Sequence, residues 1–233
     1  MSAPKVAAIL LGYKEPGWTK RTFDCALQAE FGPIFTIARE DGVGPMSSVF
    51  NAGMELMIEF GAEWVWHLTN VAFPPEMIGA LLEHGGADVA AIHPVFDSDH
   101  RHLRAGKQKE DGACVPFVEW TAPLVSVQAW QEVGPLDEEM GYWGFDLDWS
   151  HRARVRGFQP KVCTTYKLDH TYLRVEDSAE HTITKMRRSE RARHDVATEA
   201  RLKAKWGEDW LAKLWPTHPH VAKGRKYLYK ENK

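Results

Sequence analysis

Residues 5–38, KVAAILLGYKEPGWTKRTFDCALQAEFGPIFTIA, contain two short apolar runs with a helical pattern between them. The first run, residues 5–11, is almost continuously apolar and is followed by a glycine, which is typical of a strand buried on both faces of a parallel sheet. Phe23, Leu27 and Phe31 recur at helical spacing between the runs. The stretch therefore predicts a strand, a helix and a second strand joined as one βαβ unit.

The alternation of strands and helices continues along the chain. Residues 45–59 and 74–84 have helical patterns, and residues 62–68 and 89–92 are apolar runs typical of strands. Strands separated by helices imply right-handed crossovers, which build a parallel sheet with helices on both faces. We therefore expect an α/β domain with a Rossmann-like, mostly parallel twisted sheet and flanking helices. Further strands are predicted at 115–120, 123–127 and 161–165, and further helices at 129–133, 146–156, 182–206 and 208–215.

Composition excludes several classes of protein. The chain has 233 residues, of which 44% are hydrophobic and 26% charged, values typical of a folded globular protein rather than a disordered one. Its apolar runs are far shorter than the about 18–20 residues that a membrane-spanning helix needs, so we expect no transmembrane segment and a cytoplasmic location. The three cysteines are odd in number and widely spaced, which indicates neither a disulfide framework nor a zinc knuckle.

Charge is distributed unevenly along the chain. Residues 184–233 carry 14 Lys or Arg against 6 Asp or Glu, a balance of +8, whereas the remaining residues have a balance of −11. Such a basic segment either meets a polyanion, such as nucleic acid or an anionic membrane face, or packs back on its own acidic domain. We expect a domain at 1–175 and a basic helical C-terminal extension at 176–233, packed on the domain or beside it.

Residues 133–157, VGPLDEEMGYWGFDLDWSHRARVRG, form the most informative pattern, which Asp169-His170 closes. The pattern resembles the second half of the family 2 glycosyltransferases, where a turn of the form vGxfDE leads to a helix start of the form WGxED and, some twenty residues later, to a lone histidine. The resemblance implies a GT-A fold and an inverting, hexosyltransferase-like enzyme. Its donor would be a nucleoside-diphosphate sugar, expected to be UDP-linked.

Asp146 is the residue that the resemblance assigns as the catalytic base. Transfer with inversion needs a base for the proton of the acceptor hydroxyl, and a carboxylate at the start of a helix can be held in place for that task. The helix dipole favours the ionised form, whereas partial burial raises the pKa. The alternative is an ordinary acid in a first helical turn. Asp148 points elsewhere, and we expect it to cap the helix or to pair with Arg152 at i,i+4.

Aromatic and glycine residues surround Asp146. Flat aromatic faces bury sugar C–H surfaces or stack on bases, and core packing explains some of them equally well. We expect an acceptor-binding loop made of Tyr142, Trp143, Gly144 and Phe145.

The resemblance extends more weakly into the amino half. In an open α/β sheet the ligand lies beyond the carboxyl ends of the strands, and the family places a nucleotide-binding acid after the second strand and an asparagine in the next helix. The donor-binding residues expected on these grounds are Gly12, Tyr13, Glu40, Asp41, Asn51, Thr69 and Asn70.

The sequence departs from the family where the metal would bind. The family has a DxD or similar acid cluster after the third strand, whereas residues 68–74 here read LTNVAFP. Thr69 and Asn70 offer only neutral oxygens to a divalent cation such as Mn²⁺ or Mg²⁺, which prefers carboxylates. In some relatives a histidine completes the metal site, and His170 stands at that position. Without a metal, cations such as Arg101 or Arg104, Lys107 or the basic tail would offset the charge on the diphosphate.

The acceptor and two rival functions remain open at this stage. The acceptor hydroxyl could belong to a saccharide, to a lipid-linked glycan or, given the basic run 185–193, to a hydroxymethylated DNA base of phage type. A catalytically degenerate binding or scaffold protein is the first rival, because the DxD acids are missing. A nucleotidyltransferase is the second, and residues 12–17 lack the glycine-rich, basic phosphate loop that it would need.

Overall fold

The computed structural model describes residues 5–13, 16–29, 32–39, 45–96, 110–140, 143–170, 188–217 and 221. These residues form one six-stranded sheet with helices packed against it. The strands are β1 (Val6–Tyr13), β2 (Ile34–Arg39), β3 (Trp64–Thr69), β4 (Val89–Phe96), β5 (Leu124–Ser126) and β6 (Gln159–Leu168). The helices are α1 (Pro16–Gln28), α2 (Met46–Glu59), α3 (Met77–Glu83), α4 (Val127–Val133), α5 (Phe145–Val155), α6 (Arg188–Trp206) and α7 (Trp210–Leu214).

The sheet has the order β2-β1-β3-β5-β4-β6. β1 pairs in parallel with both β2 and β3, and β4 pairs in parallel with β6. The short strand β5 runs antiparallel between β3 and β4. The expected mostly parallel α/β sheet is therefore confirmed, with β5 as its antiparallel member.

Apolar side chains bury both faces of the sheet. Ile9 and Leu10 are adjacent on β1, are both buried, and belong to two different apolar clusters on opposite faces. α1 and α3 cover one face through residues such as Ala26 and Leu81, whereas α2, α4 and α5 cover the other. Strands buried on both faces read as continuous apolar runs, which is why the pattern of residues 5–11 predicted this sheet.

The strand predicted at residues 115–120 is not present. Only Cys114, just before this run, forms an isolated antiparallel bridge, with Lys161 of β6, and the following residues are irregular. Val115 still donates a backbone hydrogen bond to Pro160 of β6, but Pro116 has no N–H to give to a ladder, which disfavours further pairing. Its side chains are nevertheless buried, since Phe117, Val118 and Trp120 lie in the core.

The carboxyl ends of the parallel strands meet at one edge of the sheet, as such strands must. Gly12 is in register with Ala38 of β2, and Leu11 is in register with Thr69 of β3. Beyond β3, Ala72 forms an antiparallel bridge with Asp169, just after β6. The segment after β3 therefore crosses this edge and brings the end of β6 to it.

The C-terminal helices pack on the sheet domain. Leu202 of α6 and Trp210, Leu211 and Leu214 of α7 are buried in the same apolar cluster as α2 and α5. The described part of the extension therefore packs back on its own domain, which is one of the two alternatives that the charge distribution left open. The domain boundary at residue 175 stays a prediction.

The basic side chains described on α6 are engaged by acids. Arg201 and Lys205 both form ion pairs with Asp137. Lys203 pairs with Glu199 of its own helix and contacts Glu208. The side chains of residues 185–193 lie outside the described part of the chain.

Among the described residues, no helix combines the length and the apolar character needed to span a bilayer.

Candidate active site

Asp146 lies in the first turn of α5. Its Oδ1 atom accepts hydrogen bonds from the backbone N–H groups of Gly144 (3.0 Å) and Leu147 (2.9 Å), so the side chain folds back over the start of its own helix. Burial raises the pKa of the Asp146 carboxyl to about 6, and these two bonds oppose the rise. No cation among the described residues contributes to its pKa. The carboxylate is thus ionised at neutral pH with a pKa close to that pH, which suits a general base.

Gly144 determines the backbone conformation directly before α5. Its φ of +92° lies in the left-handed region, which side chains with a Cβ rarely adopt. A Cβ atom there would also lie 2.6 Å from Cγ2 of Thr198 on α6. The C-terminal extension therefore packs directly against the residue that precedes the helix of Asp146.

Asp148 has a different environment from Asp146, although it is only two residues away. It is fully buried, and its Oδ2 atom accepts a hydrogen bond from Nε of Arg152 at 2.9 Å, which confirms the expected i,i+4 pair. Its Oδ1 atom binds Nζ of Lys205 at 2.8 Å and Nε1 of Trp206 at 2.9 Å. Asp148 therefore joins α5 to α6, while Asp146 is left without a cationic partner among the described residues.

Aromatic contacts connect the start of α5 to the carboxyl end of β3. Phe145 packs edge-on against Trp120, with ring centroids 6.3 Å apart. Trp120 donates a hydrogen bond from Nε1 to Nδ1 of His67 on β3 at 3.1 Å, and the adjacent Thr121 carbonyl accepts one from the Thr69 N–H at 3.0 Å. Phe145 is 2% exposed, so its ring packs in the core and offers no face to an acceptor.

His67 is a buried residue that sequence reasoning missed. Burial lowers the pKa of its imidazole to about 3, so the ring is neutral at physiological pH. Its second nitrogen, Nε2, lies 3.1 Å from Sδ of Met54. His67 thus holds the strand, α2 and Trp120 together.

Three expected donor-binding residues lie at the carboxyl edge. Gly12 is buried, and a Cβ there would lie 2.6 Å from Oγ1 of Thr19 on α1. Asn70 is buried with a φ of +50°, an uncommon value for a residue with a side chain. Oγ1 of Thr69 and Oδ1 of Asn70 are buried, and neither has a hydrogen-bond partner among the described residues. Buried polar atoms without partners are rare, and each one indicates local strain, a functional role or a bound water or ion.

Asn51 and the remaining expected residues have other positions. The Asn51 amide holds the turn after α4, because its Oδ1 accepts from the Leu136 N–H at 2.9 Å and its Nδ2 donates to the Leu136 carbonyl at 3.0 Å. Nδ2 also donates to Glu138 at 2.7 Å. Trp143 is partly buried, with its ring 6.4 Å from that of Trp210 on α7. Glu40, Asp41, Tyr142 and the Tyr13 side chain lie outside the described residues.

His170 is buried beside the edge, where the Ala72 to Asp169 bridge ends β6. Its ring lies 5.3 Å from that of Phe96. The neighbouring carboxylate, Asp169, is engaged by Nη2 of Arg21 on α1 at 2.8 Å. The described carboxylate next to His170 is thus paired with a guanidinium, and Thr69 and Asn70 offer only neutral oxygens, a set that is a poor match for a hard divalent cation such as Mn²⁺ or Mg²⁺.

Arg21 is a second residue that the sequence did not single out. Half of its side chain is exposed, and its guanidinium stacks on the ring of Trp18 at 4.7 Å. The next residue on α1, Thr22, exchanges hydrogen bonds with the backbone of Val71, so α1 is anchored to the segment after β3. Arg21 is therefore a described cation held beside that segment.

No protein-family model matches the chain, and no curated protein matches its sequence. Solved structures do match its fold. The mannosyltransferase PcManGT from Pyrobaculum calidifontis, in complex with GDP-Man and Mn²⁺, superposes with a TM-score of 0.64 over 95% of this chain and 70% of that one, at 12% identity. The fold is that of the GT-A glycosyltransferases.

Two further GT-A neighbours have the same architecture. The 1–349 fragment of S. aureus TarS in complex with UDP-GlcNAc gives a TM-score of 0.52 at 11% identity, covering 71% of this chain and 58% of that one. The catalytic domain of Drosophila β1,4-galactosyltransferase 7 in complex with xylobiose gives 0.51 at 16% identity, covering 76% and 75%. At these identities the likeness concerns the GT-A fold, and the residues of the site must be argued from their own chemistry.

Proposed function

We propose that the protein is a glycosyltransferase that transfers a sugar from a nucleoside-diphosphate sugar to an acceptor hydroxyl with inversion. The acceptor oxygen forms a bond with the anomeric carbon, the bond from that carbon to the diphosphate oxygen breaks, and the hydroxyl proton passes to Asp146. The observation that carries the proposal is the Asp146 carboxylate, which has a pKa of about 6, no described cationic partner and a position at the start of a helix in a GT-A fold.

We propose that the sugar donor binds at the carboxyl edge of the sheet and that its nucleotide is UDP. Buried Thr69 Oγ1 and Asn70 Oδ1, which lack partners among the described residues, support this placement together with Gly12, whose lack of a side chain lets α1 pack closely. Tyr13 contributes through its position at the end of β1, and the pair Glu40 and Asp41 through its position after β2. Asn51 acts indirectly, because its amide orients the turn that leads to α5.

Arg21, rather than a divalent metal, would offset the negative charge that develops on the leaving diphosphate. The described carboxylate beside His170, Asp169, is already paired with Arg21, and a guanidinium can contact diphosphate oxygens through several N–H groups at once. Donor binding would then require the half-exposed Arg21 side chain to exchange Asp169 for the diphosphate. Calorimetric titration of the donor with EDTA and with Mn²⁺ tests this assignment directly.

We propose that the acceptor binds at the loop before α5, which contains Tyr142, Trp143 and Gly144. A glycan hydroxyl is the better-supported acceptor, because the described basic side chains of α6 are already paired with acids and are not arranged to meet phosphates. A hydroxymethylated DNA base is the second candidate, favoured by the basic composition of the extension. Filter binding that detects no duplex DNA at low salt would eliminate it.

A thermal-shift screen with nucleoside diphosphates and sugar nucleotides tests the donor, because a ligand specific for the folded state raises the melting temperature. The sugar nucleotide that binds is then used in a donor-hydrolysis assay with Asp146→Asn. Asp24→Asn, which changes an exposed acid on α1, is the matched control.

We expect the native chain and the control to release nucleoside diphosphate and Asp146→Asn to release far less. A degenerate scaffold, which the missing DxD acids favour, would bind without release, and Asp146→Asn would then change nothing.

A further inference from the structure

Three potential metal ligands converge outside the candidate active site. His84 follows α3, Asp111 lies in the turn before the Cys114 bridge, and Cys163 belongs to β6. One ligand atom from each of the three residues lies within 4.8 Å of the other two. Nε2 of His84 and Oδ2 of Asp111 are already 2.9 Å apart. The three residues come from separate parts of the chain, so their convergence is a product of the fold.

An irregularity in β6 orients the Asp111 carboxylate. Cys163 is in register with Pro94, but Val95 is in register with Lys167, so residues 164–166 bulge from the strand. Within this bulge, the N–H and Oγ1 of Thr164 donate to Oδ1 of Asp111, and Oγ1 of Thr165 donates to Oδ2 at 3.2 Å. Hydrogen bonds of this kind, from residues behind a ligand, fix the orientation of metal-binding carboxylates.

Gly112 allows the imidazole to reach this position. Its φ is +75°, and a Cβ atom there would lie 2.9 Å from Nδ1 of His84. The three side chains also provide an entry path from solvent, because 40% of Asp111 and 19% of His84 is exposed while Cys163 is buried at the base of the cluster. An ion could therefore enter from the carboxylate side.

The types of ligand select the ion. A thiol, an imidazole and a carboxylate suit Zn²⁺, which takes four ligands in a tetrahedron and accepts all three types, whereas Mg²⁺ and Ca²⁺ prefer oxygen alone. Zn²⁺ binds the thiolate form of cysteine, so the ion would displace the Cys163 proton on binding. In a tetrahedron with Zn–ligand bonds of about 2.0–2.3 Å, the ligand atoms lie roughly 3.3–3.7 Å from one another. Nε2 of His84 and Oδ2 of Asp111, 2.9 Å apart, would therefore separate slightly, while a pair as far apart as 4.8 Å would draw in by roughly 1 Å.

We propose that His84, Asp111 and Cys163 form a Zn²⁺ site on the outer strand of the sheet, with water as the fourth ligand. The bound ion joins the end of α3 and the turn at residues 110–112 to β6. This site is separate from Asp146 and does not depend on the function proposed above. Without an ion, the same residues would be only a hydrogen-bonded His84–Asp111 pair beside a buried thiol. The two cases predict different results with a spectroscopic probe.

Cobalt(II) titration of the chelator-treated full chain tests the proposal. A thiolate ligand gives Co²⁺ an intense ultraviolet charge-transfer band, and Zn²⁺ in slight excess should remove it by competition. Cys163→Ser should abolish the band. Cys114→Ser is the matched control, because Cys114 is an exposed cysteine whose backbone forms a β-bridge with Lys161, two residues before Cys163. This variant should retain the band in full.

His84→Gln should weaken Co²⁺ binding at least tenfold, and Asp146→Asn should leave it unchanged. Circular dichroism establishes that each variant is folded, with Cys163→Ala as the replacement if Cys163→Ser is not. A native chain that shows no band, a band of equal strength in the folded Cys163 variants, or a band that disappears only in Cys114→Ser would each overturn the site.

Discussion

Replacement of Asp146 by asparagine should lower activity and raise stability at the same time. The amide oxygen can still accept the hydrogen bonds from the Gly144 and Leu147 N–H groups, so the start of α5 should stay intact. The charge is removed, and with it the ability to take the acceptor proton. Loss of a positioned general base commonly lowers the rate by about 10²- to 10⁴-fold.

The expected stability change follows from the pKa of Asp146. The folded value is about 6 against 3.8 for the ordinary carboxyl, a difference of about two units, which corresponds to roughly 3 kcal/mol at 1.36 kcal/mol per unit. Since the folded pKa is raised, the contribution of Asp146 to stability is greatest below about pH 4 and is lost as the pH rises from about 4 through 6. Asp146→Asn does not titrate, so it should exceed the native chain by up to about 3 kcal/mol at pH 8 and by almost nothing at pH 4.

Two assays check this expectation. Urea unfolding at pH 4, 6 and 8 measures the stability difference between the native chain and Asp146→Asn. Donor turnover against pH measures the base, and its rate should fall about tenfold per pH unit below 6 and level off above it. A variant that is less stable at pH 8, or a stability difference that is the same at every pH, would refute the burial of a charged Asp146. A flat pH profile would refute its role as base.

Other changes test the surroundings of the site. Gly144→Ala should lower the free energy of unfolding by about 1–3 kcal/mol, because φ is +92° and α6 fills the space, and a melting curve measures it. Trp206→Phe removes a hydrogen bond to buried Asp148 and should cost about 1–3 kcal/mol in urea unfolding, whereas Lys203→Met on the same helix should cost less than about 1 kcal/mol. Arg21→Gln should weaken donor binding at least tenfold in calorimetric titration, and EDTA or Mn²⁺ should leave the affinity of the native chain unchanged; a metal-dependent affinity would contradict the assignment.

Local patterns were sufficient for part of the fold and of the site. Continuous apolar runs predicted the parallel strands, because a strand buried on both faces has no polar side to alternate with. Asp146 at a helix start and the pair of Asp148 with Arg152 depend on spacing within one helix, which sequence shows directly. The same reasoning misread residues 115–120, since buried apolar side chains also occur in irregular segments.

Tertiary structure alone decided the rest. The sequence could not show that Phe145 packs in the core, that Arg21 reaches Asp169, or that Asp146 lies where burial raises its pKa. These properties depend on which distant segments come together, and no local spacing encodes the solvent exposure of a side chain or the charge of its neighbours. Thus the alternation of strands and helices could be predicted from the apolar runs between residues 5 and 92, whereas the environment of each candidate site residue was set by contacts across the sheet.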